Sequence, residues 1–238
     1  MTTKLISVTQ PNQINNGFHK IQTAEDLIVY CARVSSPNQK EHRDPTALIK
    51  YLIKHKHWSP FEMAGMCVEI ETTVSVATQI LRHRSFSFQQ FSRRYSSEQP
   101  TFEWSPARMQ GETNRQVSEE LAEESIQSAW RQACAIVQDV CERKYKEAIR
   151  AGIGNELARQ LLPQSLKTRL YMNGTVRSWI HYLQIRNATE TQKEHREIAK
   201  EIEAIFSKEF PFIAKALKGE NWIQSIECSD EQYRKLKI

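Results

Sequence analysis

Glycine is scarce, with 7 in 238 residues. Neither common glycine-rich phosphate loop occurs, so an anionic ligand has to be held by arginines and hydroxyls. No Gly-x-Ser-x-Gly elbow is present, which removes the usual serine-hydrolase arrangement. The five cysteines, Cys31, Cys67, Cys134, Cys141 and Cys228, are odd in number and include no Cys-x-x-Cys. That argues against a disulfide framework and against a zinc knuckle. They read as reduced thiols of a cytosolic protein, and a cytoplasmic location is expected. No apolar run approaches ~18 residues, so no membrane span is expected. Met1–Val8 lacks the apolar core of a signal peptide. No Pro/Gly/Ser-rich linker, low-complexity run or internal repeat divides the chain, so residues 1–238 are expected to form a single domain.

What is present is a mild positive charge, +5, and a dense mixed stretch. Arg82–Ser96 holds four arginines, His83, five hydroxyl residues and three phenylalanines. Unpaired buried guanidiniums are too costly for this to be core, and it is too aromatic for an ordinary solvated loop. Two readings stand on composition. One is an anion site, where planar guanidinium forks and serine hydroxyls suit phosphate. The other is a basic turn or a single-strand nucleic-acid module, with Phe86, Phe88 and Phe91 as stacking faces.

Along the chain, Leu5–Val8 alternates as a strand. Thr23 caps a helix running to about Arg33, with Glu25 and Asp26 in its first turn. Asp44-Pro45 opens a second helix. Pro60 pushes Ser59 to an extended conformation. His55 and His57 lack a third partner nearby and read as loop residues, so no metal is expected. Met66–Thr73 alternates as a strand, and a short helix follows with Gln79 and Arg82–Arg84 in its last turns. Gln99–Asn114 reads as irregular. Ser118 starts a long helix whose stripe of Trp130, Ala133, Cys134, Val137, Cys141 and Tyr145 is expected in the core. Gly154 opens a short helix holding Arg159. Thr168–Met172 is a strand ended by Asn173-Gly174. Thr175 caps a helix with Val176, Trp179, Ile180 and Leu183 buried and Arg177, His181 and Gln184 on one polar face. Gln192–Phe206 is a charged helix with solvated Lys–Glu pairs. The expected class is α+β, a single domain with a small, largely antiparallel sheet flanked by long helices.

Arg82-His83-Arg84, seven residues and then Ser92, continued by Arg94-Tyr95-Ser96, resembles the signature of the flavin-dependent thymidylate synthases. Gln79 stands where that family has a glutamine. Further segments match in family order: Ala32-Arg33-Val34-Ser35, His57-Trp58-Ser59-Pro60-Phe61-Glu62, Glu156-Leu157-Ala158-Arg159 with Leu162-Pro163, and Arg177-Ser178 with Ile185-Arg186. The chain departs from the family pattern at Met63, Gln90, Arg93, His181 and Glu190.

The resemblance implies methylation of dUMP to dTMP. Methylenetetrahydrofolate is the carbon donor, FAD the hydride carrier, and NADPH the reductant of the flavin. It implies a homotetramer with active sites shared between subunits, and neither a nucleic-acid nor a membrane partner. Gln79, Arg82, Gln90, Phe91, Ser92, Arg93, Arg94, Arg159 and Arg186 are expected to hold dUMP. Ser59, Arg82, His83, Arg84, Gln90, Thr175, Arg177 and His181 are expected to contact FAD. Arg186 is expected to be catalytic, stabilising charge that develops on the uracil ring. No cysteine follows proline or precedes histidine, which fits a route without an enzyme thiol nucleophile.

Overall fold

The computed structural model describes residues 1–12, 14–15, 20–34, 45–112, 114 and 118–219. Ser35, Asp44, Cys228 and the segment 220–238 lie outside them. The elements run β1 (Thr2–Val8), β2 (Ile14–Asn15), β3 (Lys20–Ile21), α1 (Ala24–Ala32), α2 (Pro45–Lys54), a 3-10 turn (Ser59–Glu62), β4 (Gly65–Thr73), α3 (Val74–Ile80) and β5 (Ser87–Gln90). They continue with β6 (Arg108–Gln110), β7 (Ser118–Leu121), α4 (Glu124–Arg150), α5 (Asn155–Ala158), a second 3-10 turn (Arg159–Leu161), β8 (Lys167–Thr175), α6 (Val176–Arg186), α7 (Lys193–Glu209) and α8 (Pro211–Gly219).

The class is α+β, with a small antiparallel sheet among helices. Its strand order is β1-β4-β8-β5. β4 alternates as its sequence requires, with Met66, Val68, Ile70 and Thr72 buried between half-buried neighbours. β8 buries Thr168, Leu170 and Met172 in the same way. The Val74 N–H donates to Leu166 O at 2.9 Å, and the Val176 N–H to Ala64 O at 2.8 Å, so β4 and β8 run antiparallel.

The chain divides into two compact units. One comprises Met1–Thr3, Glu69–Met172 and Thr189–Ile198; the other comprises Lys4–Val68, Asn173–Ala188 and the residues from Ala199 onward. In the first, Tyr145, Ala148 and Ala158 are buried together, with Ile149 and Leu162 against them. In the second, α2 packs on α1 and α8, and the 3-10 turn Ser59–Glu62 sits against α1 and α6. Phe61, Trp179, Tyr182, Phe206 and Phe210 are among its fully buried side chains.

Several expectations change. β1 begins at Thr2 rather than Leu5. Ser59 is not extended but starts the 3-10 turn, where Pro60 costs nothing because a first-turn N–H has no helical partner. α3 ends at Ile80, so Arg82–Arg84 lie beyond it in a turn. Arg108–Gln110 is a strand, not irregular chain, and it pairs with β7. Ser118 therefore does not start a helix. The Arg108 guanidinium donates to Ser118 O at 3.0 Å and to its Oγ at 3.3 Å, which takes the hydroxyl that was expected to cap. The long helix begins at Glu124. Its stripe is only partly core: Cys134 and Tyr145 are buried, whereas Trp130 is 42 % and Val137 41 % exposed. Asn173-Gly174 does not end its strand. β8 continues to Thr175, and a Cβ on Gly65 would lie 2.4 Å from Gly174 O, so the two backbones need glycine to approach. Along α7, His195 and Glu194 are buried rather than solvated.

Candidate functional site

In the first unit, α3 and the turn after it carry Gln79 and Arg82–Arg84. Arg82 and Arg84 are exposed, and their guanidiniums meet no partner among the described residues. Gln79 is half-buried and tied on both sides. Its Nε2 donates to Gln192 Oε1 at 2.6 Å, and its Oε1 lies 3.3 Å from His195 Nδ1. The His195 ring also meets His83 edge to face, with centroids 6.4 Å apart. The fully buried His195 thus brings Gln79 and His83 together.

β5 delivers the second half of the stretch. Gln90 donates to Thr168 Oγ1 at 3.2 Å, and the Phe91 N–H donates to Arg169 O at 2.9 Å, which fixes this segment on β8. The chain then turns. The Arg94 N–H donates to Ser92 Oγ at 3.4 Å. Arg94 also faces Glu156 at 3.8 Å, while Arg159 Nε donates to Glu156 O at 3.3 Å. Glu156 therefore gathers Arg94 and Arg159, both exposed. Arg93 turns inward: its guanidinium lies 5.6 Å over the Phe91 ring and donates to Glu98 O at 2.7 Å. Its Nε is buried with no hydrogen-bond partner. Phe86 is buried and stands 6.2 Å from Phe88, so these rings pack on each other.

In the second unit, Thr175 caps α6 by accepting from the Ser178 N–H at 3.2 Å. Arg177, on the first turn, donates to Glu62 at 2.6 Å, which joins it to the 3-10 turn that starts at Ser59. His181 is exposed one turn later, on the face of Arg177. Arg186 is the last residue of α6 and is half-buried. Burial lowers its pKa, and the nearby Tyr182 pulls the other way. Burial in turn pushes the Tyr182 phenol up.

The sequence reading missed Arg108, Glu156, Gln192, Glu194 and His195. A signal existed for His195: with Ile198, Ala199, Ile202 and Phe206 it forms a 3.6-residue periodic face, all of it buried. The buried Glu194 accepts from Arg108 at 2.6 and 2.9 Å. Burial alone would raise its pKa, but hydrogen bonds from Arg108, Ser105, Gln192 and its own backbone N–H outweigh this and hold the carboxyl at about 2.

Comparison with known proteins bears on what these groups serve. The family model for thymidylate synthase complementing protein matches residues 18–212. The flavin-dependent thymidylate synthase of Synechocystis is 49% identical over 218 residues, covering 92% of this chain and all of the relative. The chain belongs to the flavin-dependent thymidylate synthase family. Another member, from Thermus thermophilus, is 33% identical and covers 94% of this chain and 83% of its own. The fold of this flavin-dependent thymidylate synthase family member also resembles a solved structure, the UMP/dUMP methylase PolB from Streptomyces cacaoi bound with 5-Br dUMP. That likeness has a TM-score of 0.78 at 23% identity, with 92% and 94% of the two chains covered.

Proposed function

We propose that this protein methylates dUMP to dTMP, with methylenetetrahydrofolate as carbon donor and FAD as hydride carrier. Support comes from the way the residues of the family signature converge in the first unit: Gln79 and His83 meet on His195, and Arg94 and Arg159 meet on Glu156. The free guanidiniums of Arg82 and Arg84 are the donor set that a phosphate or pyrophosphate requires. The residues present fit both anionic groups. Gln79, Arg82, Gln90, Phe91, Ser92, Arg94 and Arg159 hold dUMP, and Arg93 braces the turn they sit on. Ser59, Arg82, His83, Arg84, Gln90, Thr175, Arg177 and His181 hold FAD. FAD held there would supply the hydride, with NADPH as the source of its electrons. Arg186 donates to the uracil and stabilises negative charge developing on the ring.

No thiol is asked to attack. Burial raises the pKa of Cys67 and of Cys134, away from the reactive thiolate. The chain acts as one family domain over its full length and assembles as a homotetramer with shared active sites. The assembly is supported by α4, where Ile126, Trp130, Ile136, Val137 and Val140 lie exposed on one stripe. No described helix is long and apolar enough to cross a membrane, and a cytoplasmic location suits a nucleotide enzyme.

The test is an anaerobic assay of purified protein with dUMP, methylenetetrahydrofolate, FAD and NADPH. The protein is expected to be yellow and to form dTMP. Bound, reducible flavin without dTMP would identify a flavoprotein that keeps the fold and has lost methyl transfer.

A further inference from the structure

A chain of hydrogen bonds runs from Arg108 to His195, and one charge sets its direction. Glu194 is the starting point. Held ionised at the centre of its donors, its carboxylate can only accept. Arg108 fills it from one side at 2.6 and 2.9 Å. Gln192 meets it at 2.8 Å, and so must present its Nε2 there. The carbonyl Oε1 of Gln192 is left to face Gln79. It can only accept, so Gln79 donates to it through Nε2, at 2.6 Å. Gln79 Oε1 must then face His195 at 3.3 Å, and His195 Nδ1 must carry its proton. Each amide could be turned over by itself, but the four groups together cannot.

A phosphate only accepts, so it would use the Nε2 end of a fixed amide alone. A base edge uses both ends at once. Uracil offers an N–H beside a carbonyl, whereas cytosine offers an unprotonated nitrogen beside an amino group. An amide free to rotate suits both, and an amide locked one way suits one. We infer that Arg108, Glu194, Gln192 and His195 are positioning residues that lock the Gln79 amide so that it reads uracil against cytosine. His195 also packs on His83, which ties the orientation of the base reader to the flavin side of the turn. This rests on the proposal that dUMP binds at Gln79.

The test measures dUMP binding and competition by dCMP on full-length, FAD-loaded protein, for wild type, Gln79→Leu, Gln192→Leu and His195→Phe. Gln192→Leu keeps the Arg108–Glu194 pair, and Gln192 is only half-buried, so this variant is expected to fold even where His195→Phe does not. Loss of the lock is expected to weaken dUMP about tenfold, the scale of one hydrogen bond. dCMP should be unchanged or tighter, so discrimination falls. In wild type, nitrogen-15 NMR should find the proton on His195 Nδ1, and Glu194→Gln should allow the other tautomer. A dUMP-to-dCMP ratio unchanged in Gln192→Leu overturns the inference, as does equal weakening of both nucleotides. If wild type binds dUMP and Gln79→Leu binds it equally well, the placement of the nucleotide at Gln79 fails first, and the lock with it.

Discussion

Arg186 and Glu194 are charged side chains placed at least partly out of water, and each carries a prediction. Arg186 is half-buried at the end of α6, where a guanidinium keeps its charge although burial lowers its pKa. Arg186→Ala is expected to cut turnover at least about a hundredfold, the scale of removing one donor to developing charge. The visible absorbance of bound flavin should remain; near-normal dTMP formation would remove the assigned role. Glu194 makes a pH prediction. Its folded pKa of about 2 lies below that of an unfolded glutamate. The stability it contributes is present above pH ~4.5 and is lost as pH falls toward 2. Acid titration of wild type against Glu194→Gln, followed by circular dichroism, should show the wild type losing its advantage in that window. The arginines, Gln79 and Ser92 could be picked out in the sequence because their spacing matches the family signature. Their supports could not. Glu156 and Gln192 each reach a site residue distant in the chain, Arg94 and Gln79, and no local pattern records such contacts.

Elements were most legible where periodicity and capping agree. Thr23 makes both bonds of a capping box with Asp26, and α1 begins where the sequence places it. The alternation of β4 and β8 was equally readable, since half-buried strands impose it. Ser118–Leu121 was not, because Ser-Glu-Glu is a good helix start locally and tertiary pairing with Arg108–Gln110 overrides it. The long stripe of α4 misled for another reason: an apolar helical face has the same periodicity whether or not its own chain covers it. Two predictions belong at this scale. Gly65→Ala would place a methyl against the Gly174 backbone, which cannot swing aside. It should destabilise by about 1–3 kcal/mol, seen as a lower melting temperature. Glu25 is buried on α1 and accepts from the Ile213 N–H in the first turn of α8, at 2.8 Å. Burial raises its pKa to about 7, against the lowering pull of the Ile213 and Phe212 N–H groups. Stability from this carboxyl is full below pH ~4.5 and is lost as pH rises through 7. Glu25→Gln should therefore melt higher than wild type at pH 8, and the gap should close near pH 5.

At the scale of the whole molecule, α4 presents an exposed apolar face among the described residues. Ile136 is 57 % and Val140 41 % exposed, one helical turn apart. Replacing both with glutamate removes no buried contact within the chain, so folding should be little affected. The mass in solution, measured by light scattering, is expected to fall below that of a tetramer, and dTMP formation with it. A double variant that stays tetrameric would place the interface elsewhere. The Glu25 contact has a consequence for the order in which the chain is made. The carboxyl and its donor are 188 residues apart. A ribosome working at roughly 5–20 residues per second leaves α1 without that donor for on the order of ten seconds or more. Until α8 emerges, burying the first helix would mean burying an unsatisfied acid. Docking of α1 is thereby expected to wait until α8 has emerged, a brake of the chain's own against premature collapse.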